Sequence, residues 1–199
     1  MVDLHAIYDG ERAHIERFWS GRRQEEFVWT LGPIGQRLPH FRVRRIEPAD
    51  ITENWIYVSL GAWEAAPGDL HAIEFVVTSP TEDALLVELL ALVTYFHLDP
   101  RYRLDLGRIV DLGRPWVEGS EADHLFVALP LPWGPALENC VLDTKHVRFL
   151  WLVPITRAEA ELAERDGLEA LEDLLENSRA DIADPARRSL VASSDIARR

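Results

Sequence analysis

The chain has 199 residues, 47% of them hydrophobic, with 34 acidic against 21 basic side chains and a formal net charge of −13. That length and apolar content fit one globular domain with a sizeable core and room for a tail. So acidic a chain repels phosphate backbones, which argues against a nucleic-acid partner and favours encounter with a basic protein.

Ile7, Ile15, Phe18 and Trp19 fall near helical spacing, so residues 4–20 are read as a first helix. Residues 1–26 are expected to pack as a helical segment on a domain spanning 27–192. Phe27–Leu31 reads as a short strand closed by Gly32-Pro33. Phe41–Ile46 alternates apolar and basic residues, the pattern of a half-buried strand. Asn54–Trp63 and Leu70–Thr78 are two further strands, with the turn chemistry of residues 65–69 between them, so they are expected to pair as a hairpin.

Ser79-Pro80-Thr81-Glu82 has the form of a capping box with proline at the first helical position. The helix it predicts runs to Phe96 with Leu85, Leu86, Leu89, Leu90, Val93 and Phe96 on one wide stripe. Strands follow at Arg108–Leu112, His124–Leu131 and Val147–Ile155. Thr156-Arg157-Ala158-Glu159 is a second capping box, starting a helix that ends near Gly167. A last helix over Leu168–Asn177 buries Leu168, Leu171, Leu174 and Leu175. Residues 178–199 read as irregular and prone to fray, with 193–199 a flexible tail. The order of elements gives an α+β fold with a mixed, largely antiparallel sheet flanked by helices, because the βαβα alternation of a doubly wound fold is missing.

Motifs for catalysis are sparse. The seven histidines, at 5, 14, 40, 71, 97, 124 and 146, are never three to five residues apart, so no helical zinc pair exists and no metal or cofactor is expected. Cys140 is the only cysteine, which excludes an intrachain disulfide. Its closeness to Asp143 and His146 invites a thiol-hydrolase reading, and His124 beside Asp123 invites a general base. Catalytic Cys/His pairs are brought together from distant segments, so local spacing is weak support for the first. Gly113–Gly119 lacks the Gly-Lys-Ser/Thr ending of a phosphate loop. The N-terminus lacks a basic start followed by an apolar run, and Ala84–Phe96 and Phe149–Ile155 are too short or interrupted to span a bilayer. A cytoplasmic protein without membrane partners is the expectation.

The seven tryptophans are more telling. Trp116 and Trp133 lie in loops with glycine and proline, where a large ring can anchor a partner, whereas Trp55 and Trp151 read as core filling. Glu118 and Asp123 add charge beside Trp116. The expected partner-binding residues are Trp116, Glu118, Asp123 and Trp133, with an unpaired sheet edge as a second surface.

Gly107-Arg108-Ile109-Val110-Asp111-Leu112-Gly113, Pro115-Trp116, Asp123-His124-Leu125-Phe126, and Phe149-Leu150-Trp151-Leu152-Val153-Pro154-Ile155-Thr156 together resemble the suppressor-of-fused domain family. Gly167-Leu168-Glu169-Ala170-Leu171 and Asp184-Pro185-Ala186-Arg187-Arg188-Ser189-Leu190-Val191 extend the resemblance, which covers Phe27 to Val191. The resemblance implies a non-enzymatic α+β domain that binds proteins. A two-domain animal member holds a transcription-factor peptide between its domains as an added strand. The family-like part here ends close to the last residue, so that clamp is not carried over. Short bacterial members are associated with polymorphic toxin systems as immunity proteins, which implies binding and neutralisation of a cognate toxin. A regulatory adaptor, or a hydrolase using His124 or Cys140, are the alternatives.

Overall fold

The structure, a computed structural model, describes residues 4–30, 32–65 and 71–191. In chain order it forms α1 (Leu4–Phe18), β1 (Gln24–Val28), α2 (Gly32–Arg37), β2 (Arg42–Ile46), β3 (Trp55–Leu60), β4 (His71–Ser79) and α3 (Leu85–His97). Then come β5 (Ile109–Asp111), β6 (Ala122–Ala128), α4 (Pro135–Glu138), β7 (Asn139–Val141), β8 (His146–Thr156), α5 (Arg157–Asp166) and α6 (Leu168–Glu176). The strand order is β1-β2-β3-β4-β8-β6-β5, with β7 also on β8. The β4–β8 pair is parallel, while β1–β2, β2–β3, β3–β4, β5–β6 and β7–β8 are antiparallel, so the fold is α+β with a largely antiparallel sheet.

Two compact units divide the chain, residues 1–106 with 128–151, and residues 107–127 with 152–199. In the first unit the meander β1 to β4 follows from period-2 patterning. Ile56, Val58 and Leu60 of β3 alternate onto one face and meet Ile7 and Ile15 of α1, and Trp19 just after it, in a single core cluster. Tyr57 points the other way, and its hydroxyl accepts the Asp83 amide at 2.8 Å just ahead of α3. Phe75 of β4 meets the His97 ring of α3 edge-on at 5.5 Å. The β1–β2 register sets Glu26 opposite Arg44 and Glu25 opposite Arg45, so opposite charges face each other across the ladder.

In the second unit, Thr156 ends β8 and caps α5. Its hydroxyl accepts the Glu159 amide at 3.4 Å, and the Glu159 carboxylate accepts the Thr156 amide at 2.8 Å. Gly107 precedes β5 at φ 82°, a region L side chains rarely adopt, and a Cβ there would approach a Leu168 methyl to 2.9 Å. Leu171 and Leu175 carry the buried face of α6.

Three expectations need correction. The Ser79–Glu82 capping box is not made: β4 runs through Ser79, α3 begins at Leu85, and no side chain caps Ala84. Glu82 pairs instead with Arg45. Gly32-Pro33 does not simply close a strand but opens α2, a short helix. Residues 178–191 are irregular yet held rather than frayed, because the buried Arg187 guanidinium reaches the Glu159 carboxylate at 2.6 and 2.8 Å and the Pro154 carbonyl at 2.9 Å. The expected turn over 65–69 falls mostly outside the described residues, as does the tail 193–199.

Candidate partner-binding site

In the second unit, a loop from Leu112 to Ser120 follows β5. Its entry is an Asx turn, in which the Gly113 amide donates to Asp111 Oδ1 at 2.7 Å. Its exit is a turn closed by the Ser120 amide on the Val117 carbonyl at 3.1 Å, with Gly119 at φ 80°. That turn sets Glu118 in solvent, while Trp116 and Val117 are half-buried. The Ser120 hydroxyl pins the base by donating to the Pro185 carbonyl and accepting the Ala122 amide at 2.9 Å.

Asp123, the second residue of β6, accepts from His124 Nδ1 at 2.6 Å and from the Arg157 guanidinium at 3.1 Å. Partial burial pushes its pKa up, but these two partners outweigh it and hold the carboxyl below its ordinary value. The buried His124 ring has Asp123 on one nitrogen and Asp111 Oδ1 3.8 Å from the other. Both nitrogens face carboxylates, so the ring is oriented as an internal tie and is not presented to a hydroxyl or thiol nucleophile.

Trp133 belongs to the first unit. The Trp133 and Gly134 amides both donate to the Pro130 carbonyl at 2.9 Å, and Gly134 leads into α4. The half-buried ring meets Trp19 edge-on at 6.1 Å and Trp151 at 5.9 Å. Most of its apolar surface therefore serves an aromatic cluster, and only a rim is open to a partner.

Cys140 lies in the same unit, on the short hairpin β7–β8. The register pairs it with Val147 and pairs Val141 with His146, so Cys140 and His146 project to opposite faces. His146 instead bonds Asn139 Oδ1 at 2.9 Å. Burial, with help from nearby Glu11, pushes the Cys140 thiol up to about 12. A thiol of that kind is no nucleophile near neutral pH. At pH 8 it should not react with a disulfide reagent until denaturant is added, which a thiol-release assay checks. Rapid stoichiometric release from the native protein would show that the thiol is accessible after all.

Two strongly perturbed carboxyls were not anticipated from sequence. Glu11 of α1 and Glu74 of β4 have no exposed surface. Trp63 Nε1 donates to Glu11 Oε2 at 3.1 Å, and Glu11 Oε1 has no partner. Glu74 accepts the Gly61 and Trp63 amides at 2.9 and 3.2 Å and the Ser59 hydroxyl. Burial raises Glu74 to about 7 against those donors, and raises Glu11 well above its ordinary value, with Glu74 adding repulsion. Lys145 Nζ sits 5.0 Å from the centroid of the Trp63 ring. Such a pair suits general acid–base work only where substrate can enter, and both carboxyls are sealed in the core. Among the described residues no group of three or more His, Cys, Asp or Glu side chains is placed to hold a metal, and no helix is long and apolar enough to cross a membrane.

Residues 37–188 match the Suppressor of fused protein (SUFU) family. The chain belongs to that family. A crystal structure of a suppressor-of-fused homologue from Neisseria gonorrhoeae FA 1090 is 34% identical, with a TM-score of 0.82 over 94% of this chain and 98% of that one. Suppressor of fused from Drosophila is 15% identical with a TM-score of 0.69, covering 96% of this chain and 54% of the fly protein, so it shares the fold. Among curated proteins, Immunity protein YqcF of Bacillus subtilis (strain 168) is 35% identical over 72 residues. That match spans 36% of this chain and 38% of YqcF, well under half of either protein.

Proposed function

We propose that this chain is a non-enzymatic protein-binding module of the cytoplasm, an immunity protein that neutralises a cognate toxin of a bacterial polymorphic toxin system. The similarity to a protein named as an immunity protein carries the reading. The net charge of −13 favours a basic toxin, a nuclease for example, through faster encounter. Neutralisation is steric: the acidic surface covers the toxin's working face.

The two loops each supply a contact patch. Glu118 offers an exposed carboxylate beside the half-buried Trp116 ring, and Asp123 can exchange its surface partner Arg157 for a cation of the toxin. Trp133 offers the open rim of its ring. Aromatic anchors flanked by charge are the usual centres of binding energy.

The test is co-expression with the toxin encoded beside the gene, followed by calorimetric titration of the purified pair. Rescue of growth and a one-to-one complex are expected. Replacing Trp116 and Glu118 together by alanine should weaken binding at least about tenfold and shift Tm by less than about 2 °C. No rescue by the wild-type protein would refute the immunity reading. A large Tm loss would show that Trp116 and Glu118 serve the fold.

A further inference from the structure

The first unit carries an apolar groove of about 470 Å³ between α2 and α3, lined by Trp29, Pro33, Ile34, Leu92 and Tyr95, with Glu88 as its one charged wall. It exists because α3 is apolar on more than one side. Leu86, Leu89, Leu90 and Val93 are buried, yet Leu85, Leu92 and Tyr95 remain 47, 45 and 37% exposed. Residues 85, 88, 92 and 95 follow a three-four-three spacing, which places them along one stripe of the helix. The stripe is about 15 Å long at 1.5 Å per residue, three helical turns. An amphipathic helix needs one apolar face to hold the fold, and this second one is left open.

The charges on the groove select its occupant. Glu88 stands midway along the stripe and makes no ion pair with any described residue. The Arg37 guanidinium closes the far end, 5.9 Å from the centroid of the Tyr95 ring. A partner helix laid here meets apolar walls, the Glu88 carboxylate midway and the Arg37 guanidinium at one end. It must bring leucine-like anchors and a lysine or arginine. Two α3 stripes laid against each other do not fit, because α3 contains no lysine or arginine and would press Glu88 against an apolar stripe without a cation. We infer that the α2–α3 groove is a docking site for an amphipathic helix of a protein partner, about three turns long, with apolar residues at helical spacing and a basic residue that pairs with Glu88. The groove shares no residue with the loops around Trp116 and Trp133. Its test uses no toxin, so either proposal can fail while the other stands.

The probe is a fluorescein-labelled helical peptide of leucine and lysine with leucines on one face, beside a control with glutamate for lysine, titrated by anisotropy. The lysine peptide should bind the wild-type protein in the micromolar range. Leu92→Asn should weaken it roughly tenfold. Glu88→Lys should weaken it several-fold and favour the glutamate peptide. Binding that is equal across wild type, Leu92→Asn and Glu88→Lys would overturn the proposal, because net charge alone then holds the peptide. No binding to wild type, or a wild-type dimer that Leu92→Asn makes monomeric, would overturn it as well. On the wild-type protein, independent of any variant's folding, the Trp29 indole resonance should shift on adding peptide. Shifts confined to other tryptophans would place the peptide elsewhere.

Discussion

Arg187→Ala should lower the unfolding free energy by about 3–5 kcal/mol, the range for removing one partner of a buried ion pair. Arg187 and Glu159 retain 4 and 0% of their side-chain exposure, so neither can turn to water when its partner is lost. Beyond the two Arg187 contacts, Glu159 accepts the Thr156 and Leu190 amides, both at 2.8 Å. One carboxylate thus caps α5, anchors Arg187 and receives the backbone at Leu190. With the guanidinium gone, a buried anion keeps only its amide donors, and residues 178–191 lose their main attachment. For a chain of this size the expected loss is on the order of 10 °C in Tm. Arg165→Ala is the control: Arg165 pairs with Asp166 at 2.7 Å, but both are nearly half exposed. Its effect should stay below about 0.5 kcal/mol. Urea unfolding of the three proteins decides the matter. Equal midpoints for Arg187→Ala and wild type would show that the clip contributes nothing and that the C-terminal segment is held some other way.

That clip also shows where sequence reading ends. Thr156-Arg157-Ala158-Glu159 and Ser79-Pro80-Thr81-Glu82 look alike on paper, and only the first forms a capping box. The difference is tertiary. Arg45, two strands away from α3, takes the Glu82 carboxylate, and the Tyr57 hydroxyl takes the Asp83 amide that a box would have arranged. Arg187 reaches Glu159 across 28 residues, a pairing no local pattern encodes. By contrast, the strands β2, β3, β4 and β8 and the helices α1, α5 and α6 were legible, since hydrophobic period and glycine stops are local signals. β7 and α4 were too short, at three and four residues, to leave a period.

The candidate site divides the same way. The loop chemistry around Trp116 and Glu118 reads as a solvent-facing turn from Gly113, Pro115 and Gly119 alone, and Glu118 is exposed there. That Trp133 stacks edge-on with Trp19 and Trp151 depends on segments more than a hundred residues apart in the first case. Glu74 did leave a trace, as a lone acid within Ala72-Ile73-Glu74-Phe75-Val76-Val77, an otherwise apolar strand. Glu11 left none, because an acid in a charged amphipathic helix reads as a solvated face.

Stability should fall as pH rises from about 4.5 to about 7, and Glu11→Gln should flatten that fall. Glu74 titrates near 7 in the folded protein against an ordinary value of 4.5, and Glu11 is also raised, first by burial and then by its neighbour. Below 4.5 both states hold these protons and no difference arises. Between 4.5 and 7 the unfolded chain releases a proton that the folded core keeps, so each pH unit removes up to about 1.4 kcal/mol for one group. Above the folded value the loss is complete, about 3 kcal/mol. His14 acts in the opposite sense, since burial lowers its pKa and the unfolded chain gains a proton first as pH falls below 6.5. The difference between wild type and Glu11→Gln cancels that contribution. The amide keeps an oxygen for Trp63 Nε1 while removing the charge that repels Glu74. The variant should match wild type at pH 4 and exceed it at pH 8, read from chemical denaturation across the range. Parallel profiles would show that Glu11 does not keep its proton in the folded core, because Lys145, buried beside Trp63, already compensates its charge.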